Sequence, residues 1–199
     1  TSANFAYWGV NARAFSAFGG WQPFLGRLGR RGDVSGVRGL GVTRGFLEAI
    51  GVTPERGRAF TPDEYLAGGE RVTLVSQTFW VTRVGEEAEL SDGVSVWLDE
   101  NEYVVVGVLP AEFTFPYESE SVDLLVPRSL VVEPTDMGAN WSAIARVHPD
   151  VSNREARAEV AALNVGFASA YPNQMGEGDI GMTVATFGQL YAGSAVRVI

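Results

Sequence analysis

Two groups of carboxylates stand close enough in the chain to do chemistry, Asp99 with Glu100 and Glu102, and Glu118 with Glu120 and Asp123. Paired carboxylates can work as general acid and base or ligate calcium. Neither group matches the D-x-[DN]-x-[DN]-G frame of a calcium loop. The first falls at a turn between two strand-like runs and the second in the loop before another, so both read as solvated turns. The one histidine, His148, precedes Pro149 at the end of a strand-like run, and there is no G-x-S-x-G string. Nucleophilic hydrolysis needs a nucleophile, a base and an orienting group; His148 reads instead as a surface or capping residue. A single histidine also rules out a histidine-rich zinc site. With no cysteine, thiol catalysis, disulfides and Cys-based zinc sites are excluded. All 15 basic residues are arginine, which removes Schiff-base chemistry and the P-loop lysine. Gly36, Gly39, Gly41 and Gly45 resemble a phosphate loop, but the third glycine of the dinucleotide fingerprint is not at the required distance. They read as glycines that relieve crowding where backbones approach. Asn140-Trp141-Ser142 has the form of a glycosylation sequon, a short pattern that matters only in a secretory eukaryotic setting. No catalytic, cofactor-binding or metal-binding residue is assigned.

The five tryptophans, Trp8, Trp21, Trp80, Trp97 and Trp141, could form a ligand platform. Trp8 and Trp80 fall on helical faces and read as core. Trp97 differs, because Val94, Val96 and Leu98 alternate to one side of a strand and Trp97 points to the other. It either packs on a second layer or is exposed to a partner, and it is the one candidate partner-contact residue.

These residues must be positioned by a chain of 199 residues, enough for one ordinary domain or two small ones. At 46% hydrophobic and 11% aromatic residues it has the apolar content to fold. Its formal charge of −9 argues against nucleic acid and anionic lipid as partners. A membrane span needs about 20 apolar residues, and the two longest uncharged runs, 160–176 and 180–196, are too short and too polar. The chain reads as soluble. It begins at Thr1 rather than at a methionine, with no signal peptide, and stops in the apolar Val198-Ile199, so it reads as an excised piece.

Phe5, Trp8, Ala12, Phe15 and Phe18 recur at steps of three or four, the spacing of a helical face, with Ser2 or Asn4 able to cap it. Two strands, 21–28 and 34–42, are expected around a turn near 29–32. A short helix at 46–50 is closed by Gly51. Thr61-Pro62-Asp63-Glu64 is a capping box that starts a second short helix to about Ala67. A strand at 71–75 leads to a helix capped by Ser76, with Phe79, Trp80 and Val84 facing inward. Residues 94–98 and 103–109 make a hairpin around Asp99-Glu100-Asn101, its second strand buried on both faces. Further strands are expected at 122–126, stopped by Pro127, at 141–147 and at 182–187, with loops at 128–138 and 176–181. Ser152 to Glu155 is another capping box, opening a helix with the stripe Ala156, Val160, Leu163, Phe167 and Tyr171 up to Pro172. Hairpins mixed with helices point to an α+β fold.

The ordered series VTRGFLEAIGVTPERGRAFTPDE (42–64), VTLVSQTFW (72–80), the strand from Val94 to Leu98, YVVVGVLP (103–110) and FTFP (113–116) closely resembles the MacB-like periplasmic core domain of ABC transporter permeases, the MacB/FtsX superfamily. That pattern runs through L-G-V-x-P, G-R-x-F-x-x-x-E, a strand closing in L-S before a Trp-bearing helix, a hairpin ending in V-V-G-V-x-P, and an F-x-F-P turn. The segment from Asn4 to Phe18 resembles the family's helix after its first periplasmic strand. IARVHPDVSNREARAEV (144–160) resembles its A-R-L-x-P-G-V-S-x-x-x-A-x-x-E-L segment. Departures are Ile50 for leucine, Asp150 for glycine, and the acidic GEEAELSDG (85–93). The first porter strand and the membrane spans are missing.

The resemblance implies a discontinuous porter-like subdomain with strand-helix-strand units, 1–34 with 139–199, and an inserted, β-rich, sabre-like subdomain, 35–138. It implies no enzyme and no cofactor, but an extracytoplasmic domain between the first two spans of a permease. Such a domain would couple ATP hydrolysis by a cytoplasmic ATPase subunit or domain to a periplasmic adaptor or substrate, in efflux, export or mechanotransmission. The full-length permease would be a homodimer at the periplasmic or extracellular face of the bacterial cytoplasmic membrane. The alternative it implies is an FtsX-like partner-binding domain that regulates a cell-wall enzyme. The motif residues Gly51, Gly57, Pro54, Pro110, Phe60, Phe113 and Phe115 read as turns, stops and packing, and none is catalytic in the family.

Overall fold

A computed structural model of the protein describes residues 2–30, 35–115, 121–130, 141–174, 184–186 and 195–198. In chain order the elements are α1 (Ser2–Asn11), β1 (Phe15–Leu28), β2 (Ser35–Val42), α2 (Phe46–Ile50), β3 (Arg56–Gly57), β4 (Val72–Val75), α3 (Gln77–Phe79), β5 (Ser95–Leu98), β6 (Asn101–Val108), β7 (Leu124–Pro127), β8 (Ser142–Val147), α4 (Asn153–Ala170), β9 (Val184–Thr186) and β10 (Ala195–Val198). The fold is α+β with mixed strand pairing. The chain divides into two compact units, one of Thr1–Trp21, Gly45–Gly51 and Leu130–Ile199, the other of Gln22–Arg44 and Val52–Ser129.

In the first unit, β8 pairs antiparallel with the start of β1 and with β10, which pairs antiparallel with β9. Ala143, Ala145 and Val147 alternate along β8 and face a core built with Phe5 and Trp8 of α1 and Ala156, Val160 and Leu163 of α4. Small residues on β8 let the helices lie close to the sheet. The intervening Arg146 points to the other face, where its Nε donates to the Glu48 carbonyl at 3.0 Å near the C-terminus of α2. A cation there complements the helix dipole. Gly51 closes α2 at φ +73°, and its amide donates to the Leu47 and Glu48 carbonyls, as expected from the sequence. The α4 capping box is also present: Ser152 Oγ accepts from the Glu155 amide, and the Glu155 carboxylate accepts from the Ser152 amide at 2.8 Å.

The helical face expected from Phe5 to Phe18 is broken, because α1 ends at Asn11 and β1 begins at Phe15. Glu159 of α4 causes the change of direction by accepting from the amides of Arg13 and Ala14, the latter at 2.6 Å. Phe5, Trp8 and Phe15 nevertheless meet in the same core, with Phe18 packed against it. The spacing reported shared burial across a helix-to-strand junction rather than one helix. Ser2 and Asn4 lie inside α1 and cannot be its N-cap.

In the second unit, strands pair in the order β2, β7, β4, β6, β5, β1, and β1 also pairs β2, so the six close a circuit. The short β3, which the sequence did not announce, adds antiparallel to β6. Val37, Val75, Leu98, Val105, Val108, Leu124 and Val126 from five of these strands form the core with Phe79 and Trp80. Closing a sheet on itself removes the exposed edges that invite unwanted pairing.

Several elements of this unit differ from expectation for local reasons. Residues 62–65 make a 3₁₀ turn rather than an α-helix, because the chain leaves helical dihedrals at Leu66 before Gly68 and Gly69. The Ser76-capped helix is as expected at its start, with Ser76 Oγ accepting from Phe79 N–H at 3.1 Å, but it widens into a π turn over Trp80–Val84. Thr82 Oγ donates to the Thr78 carbonyl at 2.7 Å, a back-bond that bends helices, and the Gly85 amide reaches five residues back to Trp80. The hairpin turn is two residues, Asp99 and Glu100 at φ 48° and 67°, with Asn101 already paired to Leu98. β6 is not buried on both faces throughout, since Glu102 and Val104 are exposed. Pro127 is the last residue of β7 rather than the residue that stops it. The expected strand 182–187 is seen as β9, and its ends, the loops 131–138 and 176–181, and residues 31–34 of the first turn lie outside the described residues. β10 arises where the sequence was indeterminate.

Candidate functional site

Trp97 sits on β5 opposite Glu102 of β6, while Val94, Val96 and Leu98 pack inward as the alternation requires. Its ring is half-buried and lies under the Arg30 guanidinium, whose Cζ is 4.2 Å from the ring centroid. The same outward surface carries Glu102, whose carboxylate accepts from Ser95 Oγ at 2.6 Å, and Val104, which is 45% exposed. A cation stacked on an aromatic face offers an amphipathic contact surface without any group able to exchange protons near neutral pH. Trp8, Trp21 and Trp80 are buried, so no shared tryptophan platform is formed. The Trp80 ring is covered by Arg56 at 4.8 Å.

The carboxylates of the sequence-derived clusters serve their turns. Asp99 accepts from the Arg27 amide at 2.9 Å and Asp123 from the Arg38 amide at 2.8 Å. Glu100 is exposed at the hairpin tip. Glu118 and Glu120 lie outside the described residues, as does Asn140 of the sequon. Among the described residues no three His, Asp or Glu side chains gather as a metal site. His148 is exposed, and its backbone amide donates to the Ala14 carbonyl at 2.9 Å. The glycine series does not form one loop. Gly39 faces the Phe24 ring and Leu124, Gly36 has open space, and Gly45 has φ +86° with its Cα against the Phe18 carbonyl.

One ion pair stands out that the sequence reading did not single out. The Glu64 carboxylate is buried and accepts from Arg58 at 2.7 and 3.0 Å and from the Thr61 amide at 2.6 Å. Burial alone would raise its pKa, yet the hydrogen bonds from Arg58 and Thr61 together outweigh it and hold the carboxyl below the ordinary value. The signal was present: these are the arginine and glutamate of the G-R-x-F-x-x-x-E string, six residues apart. Phe60 and Tyr65 pack beside them edge to face at 5.7 Å. The unit therefore uses this motif to pin an irregular segment rather than to react.

The model of the MacB-like periplasmic core domain matches residues 5–163. The chain belongs to that family. MacB-like domains are periplasmic or extracellular domains of ABC-type permeases, which work with cytoplasmic ATPases. Three solved structures share the fold. The extracellular domain of the noncanonic ABC-type transporter YknZ from Gram-positive bacteria has a TM-score of 0.59 at 15% identity, over 99% of this chain and 87% of its own. The periplasmic region of MacB from Actinobacillus actinomycetemcomitans has 0.60 at 16%, over 87% and 74%. A domain of a permease protein from Porphyromonas gingivalis has 0.56 at 14%, over 81% and 68%. No curated protein matches the chain by sequence. Among the described residues of this MacB-like domain, no helix is long and apolar enough to cross a membrane.

Proposed function

We propose that this MacB-like domain is a non-catalytic coupling element of an ABC-type export or mechanotransmission permease, passing conformational change driven by a cytoplasmic ATPase to a periplasmic adaptor or to substrate. The observation that carries the reading is the family match over residues 5–163, joined to motif residues that pack, turn and pair rather than assemble a reacting centre. The first unit is the porter-like subdomain and the second the inserted sabre-like one. Relative to the sequence-derived division at 34/35 and 138/139, residues 22–30 cluster with the second unit, and residues 45–51 and Leu130 with the first. Trp97, with Arg30 stacked on it, is a partner-contact residue in this reading.

The test is the full-length protein, purified with the ATPase encoded beside it and with material cross-linked to its extracytoplasmic side. Co-purification of an adaptor, weakened by Trp97→Ala, together with apolar spans flanking this segment in the gene, is the expected result. Recovery of a cell-wall hydrolase instead would assign the FtsX-like regulatory role. Turnover of any substrate by the isolated domain, abolished at one acidic pair, would overturn the non-catalytic reading.

A further inference from the structure

The strand circuit of the second unit has an open end where β4 begins and β2 and β7 finish. A cavity of about 400 Å³ lies there, lined by Arg71, Tyr103, Arg128 and Ser129, by Glu64 and Glu70, and by the turn at 66–69. Its size is that of a small-molecule site, and mouths of closed sheets are common places for one. β4 pairs antiparallel with β7 through Leu74 with Leu125 and Val75 with Leu124, so Arg71, just before β4, and Arg128, just after β7, come to the same end of the pair, and both line the cavity. Like charges gathered at one end of a strand pair repel. Both backbones are nonetheless fixed in the ladder: the Arg71 carbonyl accepts from Val104 N–H at 2.9 Å, and Arg128 N–H donates to the Val42 carbonyl at 2.8 Å. The stem of Arg128 lies in the room left by Gly41, and its guanidinium is 5.8 Å from the Phe24 ring centroid.

Among the described residues, neither guanidinium has a carboxylate within 4.0 Å. Of the two acids of the lining, Glu64 is bound by Arg58 and the Thr61 amide, and among the described residues Glu70 makes no ion pair within 4.0 Å. Two arginines are thus held at the mouth of one polar cavity by backbone and packing, with no counter-ion among the described residues. A planar guanidinium matches a carboxylate in bidentate geometry. The nearby Glu64 and Glu70 disfavour a doubly charged phosphate more than a singly charged carboxylate. The phenol of Tyr103 and the hydroxyl of Ser129 can meet neutral polar groups of the same ligand.

We propose that this cavity binds a small hydrophilic monocarboxylate, of the kind presented by an acylated amino acid or a peptide C-terminus, through Arg71 and Arg128. The experiment is calorimetric or NMR titration of the chain at low ionic strength with N-acetyl-alanine, with its neutral amide and with inorganic phosphate. Saturable binding of the acid is expected, with resonances of Tyr103 and Ser129 shifting. At least tenfold weakening is expected in both Arg71→Ala and Arg128→Ala, and weaker binding of the amide and of phosphate. Both arginines are exposed, and unchanged melting curves confirm that the variants fold. Absence of saturable binding, equal binding of the amide, or indifference to both substitutions overturns the site. Tighter binding of phosphate than of the acid overturns the carboxylate assignment.

Discussion

At the scale of single residues, the most constrained positions are those that hold backbones together. Gly45 combines φ +86° with an approach in which an added Cβ would stand 2.2 Å from the Phe18 carbonyl oxygen. Neither a dihedral adjustment nor a rotamer change relieves a clash with backbone. Gly45→Ala is expected to destabilise the protein by about 2–4 kcal/mol, combining left-handed strain with overpacking. Gly36→Ala, where nothing lies within 4 Å, is expected to stay within about 1 kcal/mol of the parent. Urea titration followed by circular dichroism separates the two, and equal effects would show that the approach at Gly45 is not close. Glu64 carries a pH dependence of definite sign. Its folded pKa lies below the unfolded one, so its stabilisation is complete above the ordinary glutamate value of about 4.3 and is lost as pH falls through the lower folded value. Glu64→Gln should cost about 1–3 kcal/mol at neutral pH, the lower end being favoured because the Arg58 side chain is 48% exposed. It should also flatten the loss of stability on the acid side; melting temperatures at stepped pH from neutral downward measure both.

At the scale of elements, legibility followed how local the determining interaction is. The caps at Gly51, Ser76 and Ser152 and the α4 stripe of Ala156, Val160, Leu163 and Phe167 were readable because their partners lie within a turn or two. The boundary between α1 and β1 was not, because the carboxylate that fixes it arrives from Glu159, far along the chain. The pairing of β3 with β6 escaped for the same reason, as did the gathering of Arg71 and Arg128 at one cavity, whereas the π turn at Trp80–Val84 goes with a local back-bond from Thr82 to Thr78 that helical spacing does not announce. The outward direction of Trp97 was legible from strand alternation, whereas its cover by Arg30 was not. The β5–β6 hairpin offers an element-level prediction. Its two-residue turn holds Asp99 and Glu100 at positive φ, a conformation that glycine adopts without strain. Glu100→Gly should therefore stabilise the protein by about 1 kcal/mol, seen as a raised melting temperature. A lowered one would mean that the Glu100 side chain contributes a contact that outweighs the backbone relief.

At the scale of the molecule, the charge of −9 acquires a meaning from the family to which the chain belongs. Domains of this family work beside a bilayer whose head groups are commonly anionic, so a coupling element must choose whether lipid is a partner. Fields between exposed charges decay over about 8 Å at physiological salt, so within that distance of a surface the net repulsion acts, and beyond it the membrane has no electrostatic hold. An amphipathic docking helix would reverse this, but it needs a basic polar face. The long helix α4 instead has Glu155 and Glu159 beside Arg154 and Arg157, a balanced face. The chain is therefore expected not to co-sediment with vesicles of mixed zwitterionic and anionic lipid at 0.05 or about 0.15 M salt. Coupling through protein contacts requires this result, because an independent hold on lipid would tether the domain against the motion it is proposed to pass on. Sedimentation with anionic vesicles at low salt, reversed by added salt, would locate a basic surface that the net charge conceals and would count against coupling through protein contacts alone.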